Sequence, residues 1–262
     1  MSVIRATLQF AVPGEGIRVV ATHGPGGRLR SYEGELEAHE VEIRPGEGAT
    51  LAREGFARVA CPTAVRDFAD EAELDAVYAP EVKALVKRVT GAARVELFDR
   101  TRRSGDDAER EAAQLREPVR IAHNDYTDTS GPDRLRHALP DEAEALLARR
   151  FAIVQVWRPT HEPIARDPLT LCEAGSVRRD DLVFCERRHA DRVGSIYQLA
   201  HHPAQRWRWF PELRRDEAIV FVVYDSDPAR VGVTPHASFE NPLAPPDAPP
   251  RRSLEVRTFA FF

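Results

Sequence analysis

Over the first sixty residues apolar and polar positions alternate in short runs broken by Gly and Pro. "RATLQFAV" and "HEVEIR" therefore read as strands, whose side chains point to opposite faces with period two, and "VPGEG", "THGPGG" and "RPGEGAT" as the turns around them. The period changes in "TAVRDFADEAELDAVYAPEVKALVKRVTG", where apolar residues recur every three or four positions up to Gly91, a natural helix stop. This predicts one or two helices. "ARVELFDR" predicts a strand, "TRRSGDDAEREAAQLREP" a solvated loop or surface helix with a lid as its other role, and "DRLRHALPDEAEALLARR" a helix. From "FAIVQVWRP" onward come short β-branched and aromatic runs, "DDLVFCERR", "SIYQLA", "RWRWF", "EAIVFVVYDS", "ARVGVTPHASF" and "SLEVRTFAFF", separated by Pro, Gly and Asp. Many short strands after a mixed first part point to a sandwich or barrel on an α+β plan. "ENPLAPPDAPP" reads as a stiff connection between the last two strands.

Composition narrows the function. A hydrophobic share of 42% in 262 residues can fill one sizeable core. The net charge is -5, and 37 Lys and Arg are scattered among 42 Asp and Glu, so no basic face for nucleic acid or an anionic membrane is expected. Cys61, Cys172 and Cys185 are widely spaced and fit no disulfide framework or metal motif, which suits a reducing compartment. No cleavable leader is expected in "MSVIRATLQFAV", and no apolar run approaches the roughly 20 residues that span a bilayer. The expectation is a cytoplasmic globular protein.

Common catalytic signatures fail. "HGPGGRLR" lacks dinucleotide and phosphate-loop spacing, "THEP" lacks the second histidine of a zinc-protease helix, and "AGSVR" and "VGSIY" lack the second glycine of a nucleophile elbow. "VRIAHNDYT" differs. If it is a strand, His123 and Asp125 share a face with Cα atoms about 7 Å apart, so that an imidazole and a carboxylate can meet at one ion. "GVTPHASFENP" offers His236 as a third ligand, and three ligands on one face leave open positions for a bidentate co-substrate and O2. In "RRSLEVR", Arg251 and Ser253 are again two apart and can present a guanidinium fork and a hydroxyl to one carboxylate, with Arg252 turned the other way.

The order His-x-Asp, distal His, Arg-x-Ser resembles the iron(II)/2-oxoglutarate dioxygenase superfamily. "HNDYTDTSGPDRLR", "VQVWRP", "PLTLCEAGSVRRDDLV", "HPAQRWRWFPEL", "VVYDSD", "PHASFENPLAPPDAPPRRSLEVR" and the earlier "GFARVACPTAVRDFADEAELDAVYAPEVKALVKRVTGAARVELFDRTRR" resemble its cephalosporin 7-methoxylase subunit-like and gibberellin-desaturase-like branch of secondary metabolism. The likeness covers nearly the whole chain. Two positions depart from the expected pattern, Gln155 in place of asparagine and Arg100 in place of histidine.

The resemblance implies an α+β fold, a double-stranded β-helix (jelly-roll, cupin-like) barrel with flanking helices. It implies a single domain over 1–262, with strands and helices of 1–120 packing on a barrel core of 121–262. His123, Asp125 and His236 would hold Fe(II), and Arg251 and Ser253, with Gln155 beside them, would hold 2-oxoglutarate. With O2 the co-substrate would leave as succinate and CO2 while a small natural-product intermediate is hydroxylated or desaturated. Tyr126 and Trp157 are candidates to line the substrate pocket. Arg158 and Arg257 are spare candidates for an acidic substrate group or for the role of Arg251, because a one-residue slip would reverse every face. Ligation needs neutral histidines, so metal binding is expected to weaken as pH falls through the histidine range. Three alternatives stay open: an inactive metal- or small-molecule-binding barrel, an oxidase without the co-substrate, and an accessory subunit of a biosynthetic complex. Exposed strand edges leave room for a homodimer.

Overall fold

A computed structural model describes residues 3–14, 18–23, 29–161, 163–188 and 193–262. The expected turns "VPGEG" and "THGPGG", and Glu162 of "THEP", fall partly or wholly outside these residues. In chain order the strands are β1 (Ile4–Ala11), β2 (Arg18–His23), β3 (Leu29–Glu33), β4 (Leu36–Pro45), β5 (Phe56–Ala60), β6 (Arg94–Ser104), β7 (His123–Asn124) and β8 (Phe151–Pro159). They continue with β9 (Leu169–Cys172), β10 (Leu182–Arg188), β11 (Val193–Leu199), β12 (Trp207–Trp209), β13 (Glu217–Asp225), β14 (His236–Ser238) and β15 (Arg252–Phe261). They form a ten-stranded sheet, β1-β4-β12-β9-β14-β7-β11-β10-β2-β3, and a five-stranded sheet, β5-β13-β8-β15-β6. Strands from before and after residue 120 share both sheets.

Strand β8 shows why the sheets stack. Each of its nine residues is buried, because both of its faces are covered. Val154 and Val156 join Val82, Leu85 and Val86 in one apolar cluster, while Ile153 and Trp157 join Leu169, Leu171 and Phe221 in another. One face therefore meets a helix and the other meets the ten-stranded sheet. A third cluster, around Leu8, Phe10, Ile43 and Trp207, lies where β1 and β4 pack with Ala122 and Ala237. Each such buried Val, Ile or Phe contributes about 1.5–3 kcal/mol relative to exposure.

The helix arises where the period predicted it. Asp70 accepts from the N–H groups of Ala72 and Glu73 and starts α1 (Glu71–Glu73), which continues through a π turn, Leu74–Tyr78, into α2 (Ala79–Thr90). Pro80 has no N–H and would crowd a regular preceding turn, and the wider π turn sits just before it. Gly91 ends the helix at φ 76°. Downstream lie α3 (Asp107–Ala113), α4 (Ser130–Ala138) and α5 (Ala143–Leu147). The charged excursion after Arg100 thus begins as strand, because β6 runs on to Ser104, and only then becomes a short helix.

Candidate metal centre and active site

Strands β7 and β14 are antiparallel neighbours, with His123 paired directly to His236, so both imidazoles leave one face with ring centroids 4.5 Å apart. Both strands are shorter than the sequence suggested. Asn124 is the local organiser: its amide donates to the carbonyls of Tyr126 and Val223 and its oxygen accepts from the N–H of Thr234, two residues before His236. Each histidine places Nδ1 against the backbone carbonyl two residues back, 2.8 Å from Ile121 and 3.1 Å from Thr234. An Nδ1–H donated there fixes the tautomer that leaves Nε2 as the free ligand atom. Asp125, just past β7, brings Oδ1 to 3.7 Å from His123 Nε2 and Oδ2 to 3.9 Å from His236 Nε2. The three buried residues offer ligand atoms within 4.8 Å of one another, slightly wider than the roughly 4.4 Å that bonds of about 2.2 Å can bridge, so a small rotation of the side chains would seat one ion.

The five-stranded sheet supplies the opposite wall. Phe221, Gln155, Arg257 and Asp99 are cross-strand partners in one row over β13, β8, β15 and β6. Gln155 donates Nε2–H to Asp125 Oδ2 at 2.6 Å, and Arg257 donates to the same oxygen from Nε at 3.3 Å and from a terminal nitrogen at 3.0 Å. Arg257 also meets Asp99 at 2.5 Å, Thr101 at 3.1 Å and Glu255. Phe221 stands edge-on to His236. Burial alone would raise the Asp125 carboxyl, but the Arg257 charge holds it well below the usual range, and these carboxylates hold Arg257 well above its own. Burial, with His236 close by, pushes His123 down to about 3, so the imidazole is neutral and ready to ligate.

Farther along the same interior lies Arg251, which is 3% exposed. It donates to Ser253 Oγ at 3.0 Å and to the Asp167 carbonyl at 3.0 Å, and lies 4.9 Å over the Trp157 ring. Among the described residues no carboxylate pairs with it. Arg103, also buried, stands opposite Ser253 and donates to the Glu117 carbonyl. Burial, with Arg103 adding its charge, pushes Arg251 down to about 9. A desolvated cation without a counterion calls for an anion. Gln155 Oε1, Trp157 Nε1 and Ser238 Oγ are buried without hydrogen-bond partners; Gln155 and Trp157 share one face of β8, and Ser238 follows His236 by two residues on β14. A buried guanidinium over a ring whose own N–H is unpartnered fits a polar, dianionic co-substrate.

Of the residues singled out from sequence, His123, Asp125, His236 and Gln155 meet in one cluster, and Arg251, Ser253 and Trp157 in an adjoining one. Arg252 turns outward to Glu109 at 2.9 Å. Tyr126 lines a 430 Å³ cavity that also reaches Asp125 and Arg257. Arg158 lies apart from both clusters: it leaves β8 on the helix side, donates to the Cys61 and Arg215 carbonyls and packs on the Phe68 and Tyr78 rings. Arg257 is committed to Asp125, whereas Arg251 meets no carboxylate among the described residues. Arg103, Asp99 and Glu255 were missed, because charge on a strand is invisible to a search for hydrophobic alternation. Arg100 pairs with Asp75 and Glu71 near the helix start, away from this interior.

Two histidines and an aspartate converge between two sheets beside a buried arginine, a donor set of the kind that non-haem iron oxygenases use. The family model described as oxidoreductase/YMDC permease-like domain matches residues 11–261. The chain is 32% identical over 194 residues to the Fe(II)/2-oxoglutarate-dependent dioxygenase nvfI of Aspergillus novofumigatus, covering 73% of this chain and 69% of that one. It is 31% identical over 264 residues to the hydroxylase/desaturase CTB9 of Cercospora beticola, covering 90% and 81%. The solved iron and alpha-ketoglutarate-dependent endoperoxidase NvfI superposes with a TM-score of 0.87 at 26% identity, over 99% of this chain and 98% of that one. The chain belongs to this oxidoreductase family and, within it, to the Fe(II)/2-oxoglutarate-dependent oxygenases. Its cofactor is Fe(II), and its co-substrates are 2-oxoglutarate and O2.

Proposed function

We propose that His123, Asp125 and His236 hold Fe(II), that Arg251 and Ser253 bind the distal carboxylate of 2-oxoglutarate with Arg103 adding charge, and that the enzyme hydroxylates or desaturates a small natural-product intermediate. The carrying observation is the pairing of three ligand atoms within 4.8 Å with a buried, unpaired Arg251 in the same interior. Bound there, iron would supply the O2 chemistry by which 2-oxoglutarate and O2 give succinate and CO2, one oxygen atom of O2 entering the succinate. The chain's own residues do the rest. Gln155 and Arg257 fix the aspartate, the backbone carbonyls of Ile121 and Thr234 orient the imidazoles, and the Trp157 ring backs the guanidinium. Enclosure by Phe221, Leu169 and Leu171 excludes water from the reacting end. We read residues 1–262 as one domain, a double-stranded β-helix with flanking helices. Its three free, buried cysteines suit a reducing, cytoplasmic setting.

Anaerobic titration tests this reading. Fe(II) followed by 2-oxoglutarate should give the visible charge-transfer absorbance of a chelated complex, and O2 should then release succinate. His236→Ala should lose metal binding, and Arg251→Met should keep metal but lose co-substrate. Stoichiometric 2-oxoglutarate binding by Arg251→Met would sink the assignment.

A further inference from the structure

The cavity beside Asp125 holds a charge that the oxygenase site does not use. Its 430 Å³ is lined by the apolar Tyr126, Phe184 and Ile196 and by the charged Asp99, Arg116 and Arg134, among others. Nearly every carboxylate and guanidinium there is engaged. Arg257 satisfies Asp99 and Asp125, Asp133 meets Arg136, Glu186 meets Arg188, and Arg134 donates to the Phe98 carbonyl while lying over its ring. Arg116 is the exception: among the described residues its half-buried guanidinium has neither a hydrogen bond nor an ion pair. Its nearest charges include two more cations, Arg103 and Arg257, while Asp99 and Glu255 are already bonded to Arg257. A guanidinium held in a cavity wall against like charges is stabilised by an incoming anion, and its planar fork matches a carboxylate. The backbone of Arg116 is pinned, since Arg116 N–H donates to the Arg102 carbonyl and Ser104 N–H donates to the Arg116 carbonyl, so the group is presented by a fixed segment.

We infer that Arg116 anchors the organic substrate, and that this substrate is a carboxylate-bearing compound with an apolar, ring-sized body. The carboxylate would sit on Arg116 and the body against Tyr126, Phe184 and Ile196, with the bond to be oxidised turned toward the Asp125 end of the same cavity. The inference rests on the oxygenase reading, and it adds the chemical class that the fold leaves open.

Calorimetry on anaerobic protein loaded with Fe(II) and the unreactive co-substrate analogue N-oxalylglycine tests it, with naphthoate and its neutral isostere naphthamide as probes. Naphthoate should bind at least about tenfold more tightly than naphthamide, the discrimination of a charge-assisted pair. Arg116→Gln should abolish that preference, and Arg116→Lys, which keeps the charge without the fork, should recover part of it. N-oxalylglycine binding by each variant shows that it is folded. Absence of naphthoate binding, equal binding of acid and amide, a preference that survives Arg116→Gln, or displacement of N-oxalylglycine by naphthoate would each overturn the anchor. Failure of the wild-type protein to bind N-oxalylglycine with Fe(II) would instead overturn the oxygenase reading.

Discussion

Two residues in the interior carry opposite electrostatic problems. Arg251 is charged and desolvated with no carboxylate among the described residues to meet it, so it costs the empty protein stability that 2-oxoglutarate, bound as proposed, would return. Arg251→Met should therefore leave the apo protein as stable as wild type or more so, while weakening 2-oxoglutarate by about a hundredfold, the loss of a buried bidentate charge contact. Denaturant melts and co-substrate titrations on the same samples check both halves, and a strongly destabilised apo variant would contradict the account. His123 is the reverse case, neutral when folded, with its pKa pushed down to about 3. In the unfolded chain it titrates near an ordinary value of about 6.5, so between these limits the unfolded state binds the extra proton and stability falls as pH falls. The slope for this one group is about 1.4 kcal/mol per pH unit. Asp125, also depressed, adds a loss of the same sign at lower pH. Urea midpoints of metal-free protein should thus drop on acidification from about pH 6, and His123→Gln should flatten that drop; an unchanged slope would refute it. Proton competition for the metal at His123 should likewise begin well below the ordinary imidazole range.

Elements whose signals are local could be read from the chain, and those specified by distant partners could not. The helix over 71–90 declared itself through its period and its Gly91 stop, to which the structure adds the Asp70 cap, and each end can be tested alone. Asp70→Ala should cost about 1 kcal/mol by leaving the Ala72 and Glu73 N–H groups uncapped. Gly91→Ala should cost about 1 kcal/mol through backbone strain alone, since φ is 76° and no atom lies within 4 Å of the added Cβ. Thermal melts of both variants decide, and an unaltered midpoint would mean the helix ends are held by packing instead. Strands β8 and β15 were equally legible as long β-branched runs. In contrast, "VRIAHNDYT" and "ARVGVTPHASF" alternate well over lengths whose strands span just His123–Asn124 and His236–Ser238, with Ile121 adding an isolated bridge to Gln9. The side-chain bonds of Asn124 that shape those segments have no hydrophobic signature. Strand β6 was cut short at Arg100 because its continuation, Thr101 to Ser104, alternates polar residues with polar residues. The placement of Arg158 was recoverable: Gln155 and Trp157 point inward, so parity alone sends residue 158 to the opposite face.

At the scale of the molecule, the site is a joint between two sheets. The ten-stranded sheet provides His123 and His236, while the five-stranded sheet provides Gln155 and Arg257, which reach across to Asp125, and Ser253 beside Arg251. A ligand that bridges them binds the folded form and not the unfolded chain, so it must raise the melting temperature by mass action. At about a hundred times its dissociation constant one such ligand contributes about 2.7 kcal/mol. For a chain of this size that corresponds to roughly 5–10 °C. Because Fe(II) and 2-oxoglutarate use different side chains, their contributions should separate by variant. Arg251→Met should keep the shift given by Fe(II) and lose the further shift given by 2-oxoglutarate, whereas His236→Ala should lose the Fe(II) shift and with it most of the co-substrate's. Scanning calorimetry under anaerobic conditions with each ligand alone and with both together reads this directly. If 2-oxoglutarate stabilised Arg251→Met as much as wild type, the counterion that the buried guanidinium lacks would have to be something other than the co-substrate, and the joint between the sheets would be closed by iron alone.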